Sequence, residues 1–232
     1  MSELKETWDL FDKDMNHRGI FIRGNGTIPP DLYHKTVEVI PTDMEGNLLL
    51  TRRSMFKKIG GGQLEFPSGS VLAGETEDQA VSRELMEETG LQAKKVYFLQ
   101  KARMKGIIRY TYVAYVPDLM TTEIIFPPAE VMGYRFATFK QWQALLTTDD
   151  YNRFRTNLYN LKFMDTLEKL VNKYAHEAAP KAHKPLKPSE GLLRTKTPRH
   201  LDKRCYEADE VVLPQEMPEE LEPLIEQGDD GA

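Results

Sequence analysis

The alternation of apolar and polar residues predicts a run of β-strands on both sides of one central helix. In residues 33–40, β-branched and apolar side chains alternate with Lys and Glu, as in a half-buried strand. A turn at residues 43–47 separates this strand from a second one that begins at Leu48. The remaining strands are predicted as a short hairpin over residues 8–23, a pair over residues 96–103 and 107–116 that turns about Gly106, and a strand over residues 134–138.

The central helix is marked at both of its ends. Thr76 is predicted to cap the N-terminus, because Gln79 stands three residues later and completes a capping box. Gly90 is predicted to end the helix in a left-handed conformation. The apolar stripe between these ends consists of Ala80, Val81 and Leu85.

Two further helices are predicted after the strands. One covers residues 139–146, and the other starts with Thr148 or Asp149 as its cap and continues to about residue 174. Because strands and helices mix without strict alternation, the pattern indicates an α/β or α+β architecture rather than a doubly wound sheet. The apolar side of the longer helix is formed by Phe154, Leu158, Leu161, Leu167 and Val171.

Length and composition fit one enzyme-sized domain followed by a tail. The chain has 232 residues, which fits one domain of about 150–180 residues, and a hydrophobic content of 40% supports a sizeable core for that domain. We therefore expect an extension or hairpin over residues 1–30, the main domain over residues 31–176, and a linker and tail over residues 177–232. The net charge of −5 argues against bulk nucleic-acid binding.

The sequence also predicts a cytoplasmic protein. Cys205 is the single cysteine, so an intrachain disulfide is excluded and a reducing compartment is favoured. Residues 1–6 have neither the basic start nor the apolar stretch of a signal peptide. Apolar runs fall short of a membrane span, so we expect no membrane association.

The last 55 residues differ in character from the rest. Prolines and lysines recur between residues 180 and 188, which predicts an extended linker. Residues 207–232 contain ten acidic residues and no basic ones, which favours disorder, with either a solubilising or a partner-docking role. Residues 173–204 carry nine Lys or Arg against three Asp or Glu, which leaves open a basic arm for RNA ends.

The central helix carries negative charge at the wrong end. Glu84, Glu87 and Glu88 lie in its last turns, where the helix dipole favours cations. Like charges at these spacings cost roughly 0.2–0.5 kcal/mol per pair even when exposed. A hard divalent cation with oxygen ligands, Mg²⁺ by default, would relieve the conflict. The alternative is a solvated acidic helix face.

The same residues belong to a longer motif. Nine positions at fixed spacing resemble a complete Nudix box, namely Gly69, Glu75, Arg83, Glu84, Leu85, Glu87, Glu88, Gly90 and Leu91. The resemblance implies an α/β/α sandwich around a mixed sheet. It also implies an enzyme that uses Mg²⁺ or Mn²⁺ to hydrolyse a nucleoside diphosphate linked to another moiety. Homodimers are common among such proteins.

The resemblance also implies roles for individual residues. Glu84, Glu87 and Glu88 would be metal ligands, together with the backbone carbonyl of Ser68 or Gly69. Arg83 would orient the glutamates, and Glu75 would brace the loop and helix. Glu130 is the implied general base, although Gly133 stands where a second glutamate is common. Glu84 or Glu87 could serve as the base instead.

Other residues have two interpretations from sequence alone. Arg52 and Arg53, with Lys57 and Lys58, could bind substrate phosphates or lie at a solvated strand end. Strand alternation points only one of the two arginines toward the site. Three aromatic side chains could stack on a base, although such spacings are more typical of a core: Phe66, Tyr110 and Tyr112. His34 is interpreted as structural.

Residues 8–12, 23–24, 33–34 and 48–53 also resemble the Nudix branch near isopentenyl-diphosphate isomerase. The isomerase uses a cysteine in the loop before the helix, and here residues 65–69 contain none. Its metal-binding histidine is also missing. The remaining alternatives are an isomerase of prenyl diphosphates, a catalytically silent ligand sensor and an RNA-end processing enzyme. The complete box favours hydrolysis.

Overall fold

A computed structural model describes residues 5–152, 156, 158–177 and 208–212. The helices in these ranges are α1 (Glu77–Thr89), α2 (Phe139–Leu145) and α3 (Leu161–Glu177). The strands are β1 (Thr7–Phe11), β2 (His17–Ile22), β3 (Tyr33–Thr42), β4 (Asn47–Arg53), β5 (Leu64–Glu65), β6 (Ser68–Ser70), β7 (Lys95–Met104), β8 (Ile107–Tyr115), β9 (Val131–Thr138) and β10 (Ala208–Val212).

The strands form one mixed sheet. Its main path runs in the order β10-β7-β8-β3-β1-β2, and β3 and β8 pair in parallel. Strand β4 branches from β3 and also pairs with β5 and β9, while β6 pairs with β3. Strands β1 and β2 form an antiparallel hairpin over the segment where the sequence predicts one. This mixed sheet, with helices on both sides, confirms the predicted α+β fold class.

Residue alternation divides the core between the two faces of the sheet. On β3, Val37 and Val39 pack with Leu85 of α1, whereas Ile40 belongs to a second cluster. That second cluster contains Trp142 of α2 and Phe163 of α3. Helix α1 therefore covers one face and the two later helices cover the other.

Helix α1 begins and ends where the sequence predicts. The Thr76 side chain accepts from Gln79 N–H, and the Gln79 side chain accepts from Thr76 N–H. Gly90 closes the helix with φ 72°, a left-handed conformation that glycine adopts without steric cost. These two signals fix which residues occupy the last turn, and therefore where the glutamates lie.

The predicted long helix from residue 149 is wrong in its first part. Tyr151 forms an isolated bridge to Leu64, and the backbone of Asn152 donates to Leu64 C=O at 2.8 Å. The helix begins only at Leu161, where the side chain of Asn160 accepts from Phe163 N–H. Pairing with β5 therefore overrides the helical pattern. Phe154 lies outside the described residues.

The C-terminal prediction needs one correction. Residues 177–232 are expected from sequence to be a disordered linker and tail, yet Ala208–Val212 forms β10, antiparallel to β7. Two successive valines in this strand explain the departure, because β-branched residues favour an extended ladder. The rest of the tail, including Cys205, lies outside the described residues. No helix in the described ranges is long and apolar enough to cross a membrane.

Candidate active site at the last turns of the glutamate helix

A cleft of about 470 Å³ opens beside the C-terminal half of α1. The hairpin β1–β2, the strands β3, β6 and β8, and the loops before β5 and β9 form its other walls. The lining side chains that carry charge or hydrogen-bonding groups are Glu6, Trp8, Arg23, His34, Thr36, Arg53, Lys57, Ser68, Ser70, Arg83, Glu84, Glu87, Glu88, Arg109 and Glu130.

Arg83 connects three glutamates of the motif. Its guanidinium donates to both carboxylate oxygens of Glu75, at 2.8 and 2.9 Å, and to Ser70 C=O at 2.9 Å. Nη1 donates to Glu84 at 2.6 Å and to Glu87 at 3.1 Å. The bonds to Glu75 raise the pKa of Arg83 above its ordinary range. Arg83 therefore fixes the carboxylates relative to one another.

Glu75 braces the loop that leads into α1. Its Oε2 accepts from Leu72 N–H at 2.9 Å while both oxygens accept from Arg83. Partial burial raises the pKa of Glu75, but these hydrogen bonds outweigh burial and lower it overall. Glu75 is therefore a fixed anion between the loop and the helix.

Glu84 lies directly against Gly69 of β6. A Cβ at position 69 would overlap both carboxylate oxygens of Glu84, so only glycine allows this approach. Glu84 is only 8% exposed, and burial raises its pKa. The structure thus places a buried carboxylate beside the backbone of residue 69, where the resemblance implies a shared metal site.

The other two glutamates differ in exposure. Glu88 is 7% exposed and accepts from the Thr51 hydroxyl at 3.4 Å. The side chain of Glu87 is 56% exposed and contacts Arg83. In the part of the chain that the structure describes, no three acidic, histidine or cysteine side chains converge as a ready-made metal site. Arg83 bridges Glu84 and Glu87 and supplies their countercharge.

Glu130 also lines the cleft. It follows Pro127 and Pro128 in the loop before β9, and its carboxylate forms an ion pair with Lys57 from the loop before β5. Its backbone C=O accepts from Ser54 N–H at 2.9 Å. The two loops are therefore joined here, with Glu130 about half exposed.

The two arginines at the end of β4 point to different places. Arg53 lines the cleft, where it forms an ion pair with the buried Glu65. Arg52 instead binds Asp150, at 2.6 and 3.2 Å, and Gly62 C=O at 2.7 Å. Only Arg53 is therefore placed to meet a substrate in the cleft, as strand alternation predicts.

Sequence analysis assigned no site role to part of the cleft lining. Trp8 and Arg23 come from the N-terminal hairpin, and Arg109 comes from β8. His34, interpreted as structural, is buried and stacks on Trp8 with ring centroids 4.2 Å apart. Burial, with the charges of Arg109 and Arg23, lowers the pKa of His34 to about 4. Strand pairing brings these residues together. Residues 8–12, 23–24 and 33–34 resemble the isomerase branch, but the resemblance gave them no site role.

The aromatic residues considered for base stacking belong to the core. Phe66 is fully buried and packs near Trp142, with ring centroids 5.3 Å apart. Tyr112 is 7% exposed in the cluster under α1, and Tyr110 packs against the same cluster. None of the three lines the cleft described here.

Comparison with known proteins identifies the family. The NUDIX domain model matches residues 32–158, more than half of the chain, so the protein belongs to the Nudix family. An uncharacterized Nudix hydrolase of Listeria monocytogenes is 28% identical over 173 residues, which cover 70% of this chain and 98% of that protein. These matches confirm the resemblance that the motif carries.

Two further comparisons define how far the similarity extends. An RNA pyrophosphohydrolase of Sodalis glossinidius is 38% identical over 76 residues, 33% of this chain and 41% of that protein. A crystal structure from Deinococcus radiodurans has a TM-score of 0.54 at 19% identity, covering 72% of this chain and 98% of that one. The structural match supports the fold, and the full-length relative supports a Nudix hydrolase.

Proposed function

We propose that this Nudix hydrolase cleaves the phosphoanhydride bond of a nucleoside diphosphate derivative or another small organic diphosphate, with Mg²⁺ or Mn²⁺. The contact between Gly69 and Glu84 carries the proposal, because it draws a buried carboxylate against the β6 backbone at the cleft. Arg83 then joins Glu84 and Glu87 in one network beside Glu88. The carboxylates of Glu84, Glu87 and Glu88 supply oxygen ligands, the type that hard divalent cations prefer.

The residues present fit a divalent cation. Glu84 and Glu88 are both buried, one helical turn apart, and two carboxylates held so close repel each other. Glu87, the more exposed partner at 56%, meets Arg83 at 3.1 Å, and pairs with a solvent-exposed partner stabilise by only about 0–1 kcal/mol. Exchanging that contact for a cation therefore costs little. Glu84, Glu87, Glu88 and the Gly69 carbonyl would hold the metal.

The remaining chemistry falls to residues around the cleft. When bound, the metal would neutralise charge on the phosphate oxygens and lower the pKa of the attacking water. Glu130 lines the same cleft as the glutamates and would accept the proton of that water as general base. Arg53 and Lys57 would bind non-bridging phosphate oxygens. Hydrolysis by this arrangement requires no covalent intermediate.

The experiment is a substrate panel assayed with Mg²⁺ and with Mn²⁺. The panel contains nucleoside diphosphate sugars, dinucleoside polyphosphates, nucleoside triphosphates, prenyl diphosphates and a short RNA with a 5′-triphosphate. We expect metal-dependent release of a phosphomonoester from at least one small organic diphosphate. Turnover of the RNA alone would point to RNA ends, and double-bond migration in a prenyl diphosphate would point to an isomerase.

We also propose a cytoplasmic location. A single cysteine excludes an intrachain disulfide, and reduced thiols are typical of the cytoplasm. Fractionation of expressing cells would place the protein with a cytoplasmic marker, whereas recovery in the membrane or secreted fraction would contradict this proposal.

A further inference from the structure

The N-terminal hairpin lies outside the segment that matches the family model, yet it is joined to the motif loop. The match begins at residue 32, whereas the hairpin ends at Ile22. Thr7 C=O accepts from Ala73 N–H at 2.8 Å, and the Asp9 carboxylate accepts from Gly74 N–H at 2.8 Å. The hairpin is therefore held as a fixed wall of the cleft.

Arg23 extends from the end of this hairpin into the cleft lining. Its backbone N–H donates to Glu6 C=O at 2.9 Å, which fixes its position. Its guanidinium pairs with the Glu6 carboxylate at 2.7 Å, and the two side chains are 52% and 43% exposed. An exposed pair of this kind contributes about 0–1 kcal/mol. Arg23 can therefore exchange Glu6 for a stronger anion at small cost.

Arg109 reaches the same wall from the sheet. It is 8% exposed, and its guanidinium lies 3.8 Å from Glu38 and 3.4 Å from the Thr36 hydroxyl. Glu38 is itself fixed, because it accepts from Tyr159 OH at 2.9 Å. Arg109 is thus supported from behind while it lines the cleft.

Both guanidiniums line the same cleft as His34. Both charges act on the ring of His34, which lines the cleft and stacks on Trp8. His34 is neutral at pH 7, because its pKa is about 4. The cleft lining therefore contains these two arginines as well as the glutamates of α1.

We propose that Arg23 and Arg109 bind a phosphate of the substrate in this cleft, and so favour substrates that carry more than one phosphate. This inference rests on the proposed function. Planar guanidinium groups match phosphate oxygens with two parallel hydrogen bonds. The bonds form in the ground state as well as the transition state, so their loss raises KM more than it lowers kcat.

The experiment compares Arg23→Gln with Arg18→Gln. Arg18 lies in the same hairpin, is 53% exposed and pairs with Asp12, and it is absent from the cleft lining. We expect Arg23→Gln to raise KM for the best diphosphate about tenfold, as for one charged hydrogen bond, with kcat changed less than about twofold. Arg18→Gln should match the wild type, and Arg23→Lys should recover part of the loss because it keeps the charge.

A binding measurement separates this inference from the proposed function. Calorimetric titration with a nucleoside 5′-diphosphate, without metal, should show about tenfold weaker binding to Arg23→Gln than to the wild type. Arg109→Lys, which keeps the charge beside Glu38 and so the fold, should also weaken binding. Equal affinities for wild type, Arg23→Gln and Arg109→Lys would overturn the phosphate role, even if turnover is normal. Absence of turnover in the wild type would instead overturn the proposed function.

Discussion

Gly69 of β6 lies so close to Glu84 of α1 that a single methyl group at position 69 would occupy the space of the Glu84 carboxylate. This relationship joins a strand and a helix that are separated by the whole motif loop. It explains in steric terms why the motif starts with glycine. It also sets the position of the buried carboxylate on which the proposed chemistry depends.

Replacing Gly69 by alanine should therefore displace Glu84. We expect kcat to fall about a hundredfold, since a shift of about 1 Å in a catalytic group has that effect. The matched control is Gly74→Ala in the same loop, where no atom would meet the new Cβ. Its φ of +79° makes alanine strained by about 1 kcal/mol, so the control should lose stability but keep its turnover. Equal kcat values for the two variants would contradict the steric account.

Replacing Glu88 by glutamine should lower the activity without lowering the stability. Glu88 and Glu84 are buried one turn apart, so a neutral amide relieves their repulsion and should leave the melting temperature unchanged or higher. Metal-dependent turnover should fall about a hundredfold or more, because a ligand is lost. Asp78→Asn, in the exposed first turn of the same helix, is the control and should keep full activity. Near-normal turnover in Glu88→Gln would remove this residue from the metal site.

Glu130→Gln tests the general base. The variant keeps its size and can still hydrogen-bond to Lys57, but it cannot accept a proton from water. We expect kcat to fall about 10²–10⁴-fold with a small change in KM. Lys57→Gln, which breaks the same ion pair and leaves the carboxylate, serves as the comparison and should lose far less in kcat. Equal losses of kcat in the two variants would mean that the Glu130–Lys57 ion pair only joins the two loops. The general base would then be another residue.

His34 should make the fold sensitive to mild acid. Its pKa is about 4 in the folded protein, against an ordinary value of 6.5, so between these values the unfolded chain binds a proton that the folded one does not. The contribution of His34 to the free energy of unfolding is therefore fully present above pH 6.5. It decreases as the pH falls toward 4, by about 3 kcal/mol in total. Denaturant titrations at pH 7.0 and 4.5 measure the loss.

The control for that titration is His34→Phe, which keeps a ring against Trp8 and removes the titrating group. Its free energy of unfolding should change less between the two pH values than that of the wild type. His17→Gln, on the exposed side of the hairpin, should retain the wild-type dependence. A wild-type loss equal to that of His34→Phe would assign the acid sensitivity to other groups.

Local signals made the central helix predictable from sequence. The Thr76–Gln79 capping box and the left-handed Gly90 depend on residues within one turn of each helix end, and both are present. The orientation of Arg53 rather than Arg52 toward the cleft follows from strand alternation, which is equally local. The site of the motif could thus be placed without knowledge of the fold.

Contacts between segments that are distant in sequence cannot be predicted from local sequence patterns. The start of α3 was misplaced because Asn152 binds Leu64 instead of continuing a helix, a choice made by tertiary pairing. Arg23 and Arg109 are 86 positions apart and line one cleft only because β1, β3 and β8 lie side by side. The contacts of Arg83 with Glu84 and Glu87, by contrast, lie within one helical turn and agree with the orienting role that the resemblance implies.

The central claim is that the glutamates of α1 hold a divalent cation, and calorimetric titration of the intact protein with Mn²⁺ tests it most directly. The account predicts heat from at least one bound ion per chain, with affinity at least about tenfold weaker in Glu88→Gln and unchanged in Asp78→Asn. A wild-type protein that takes up neither Mn²⁺ nor Mg²⁺ would contradict it.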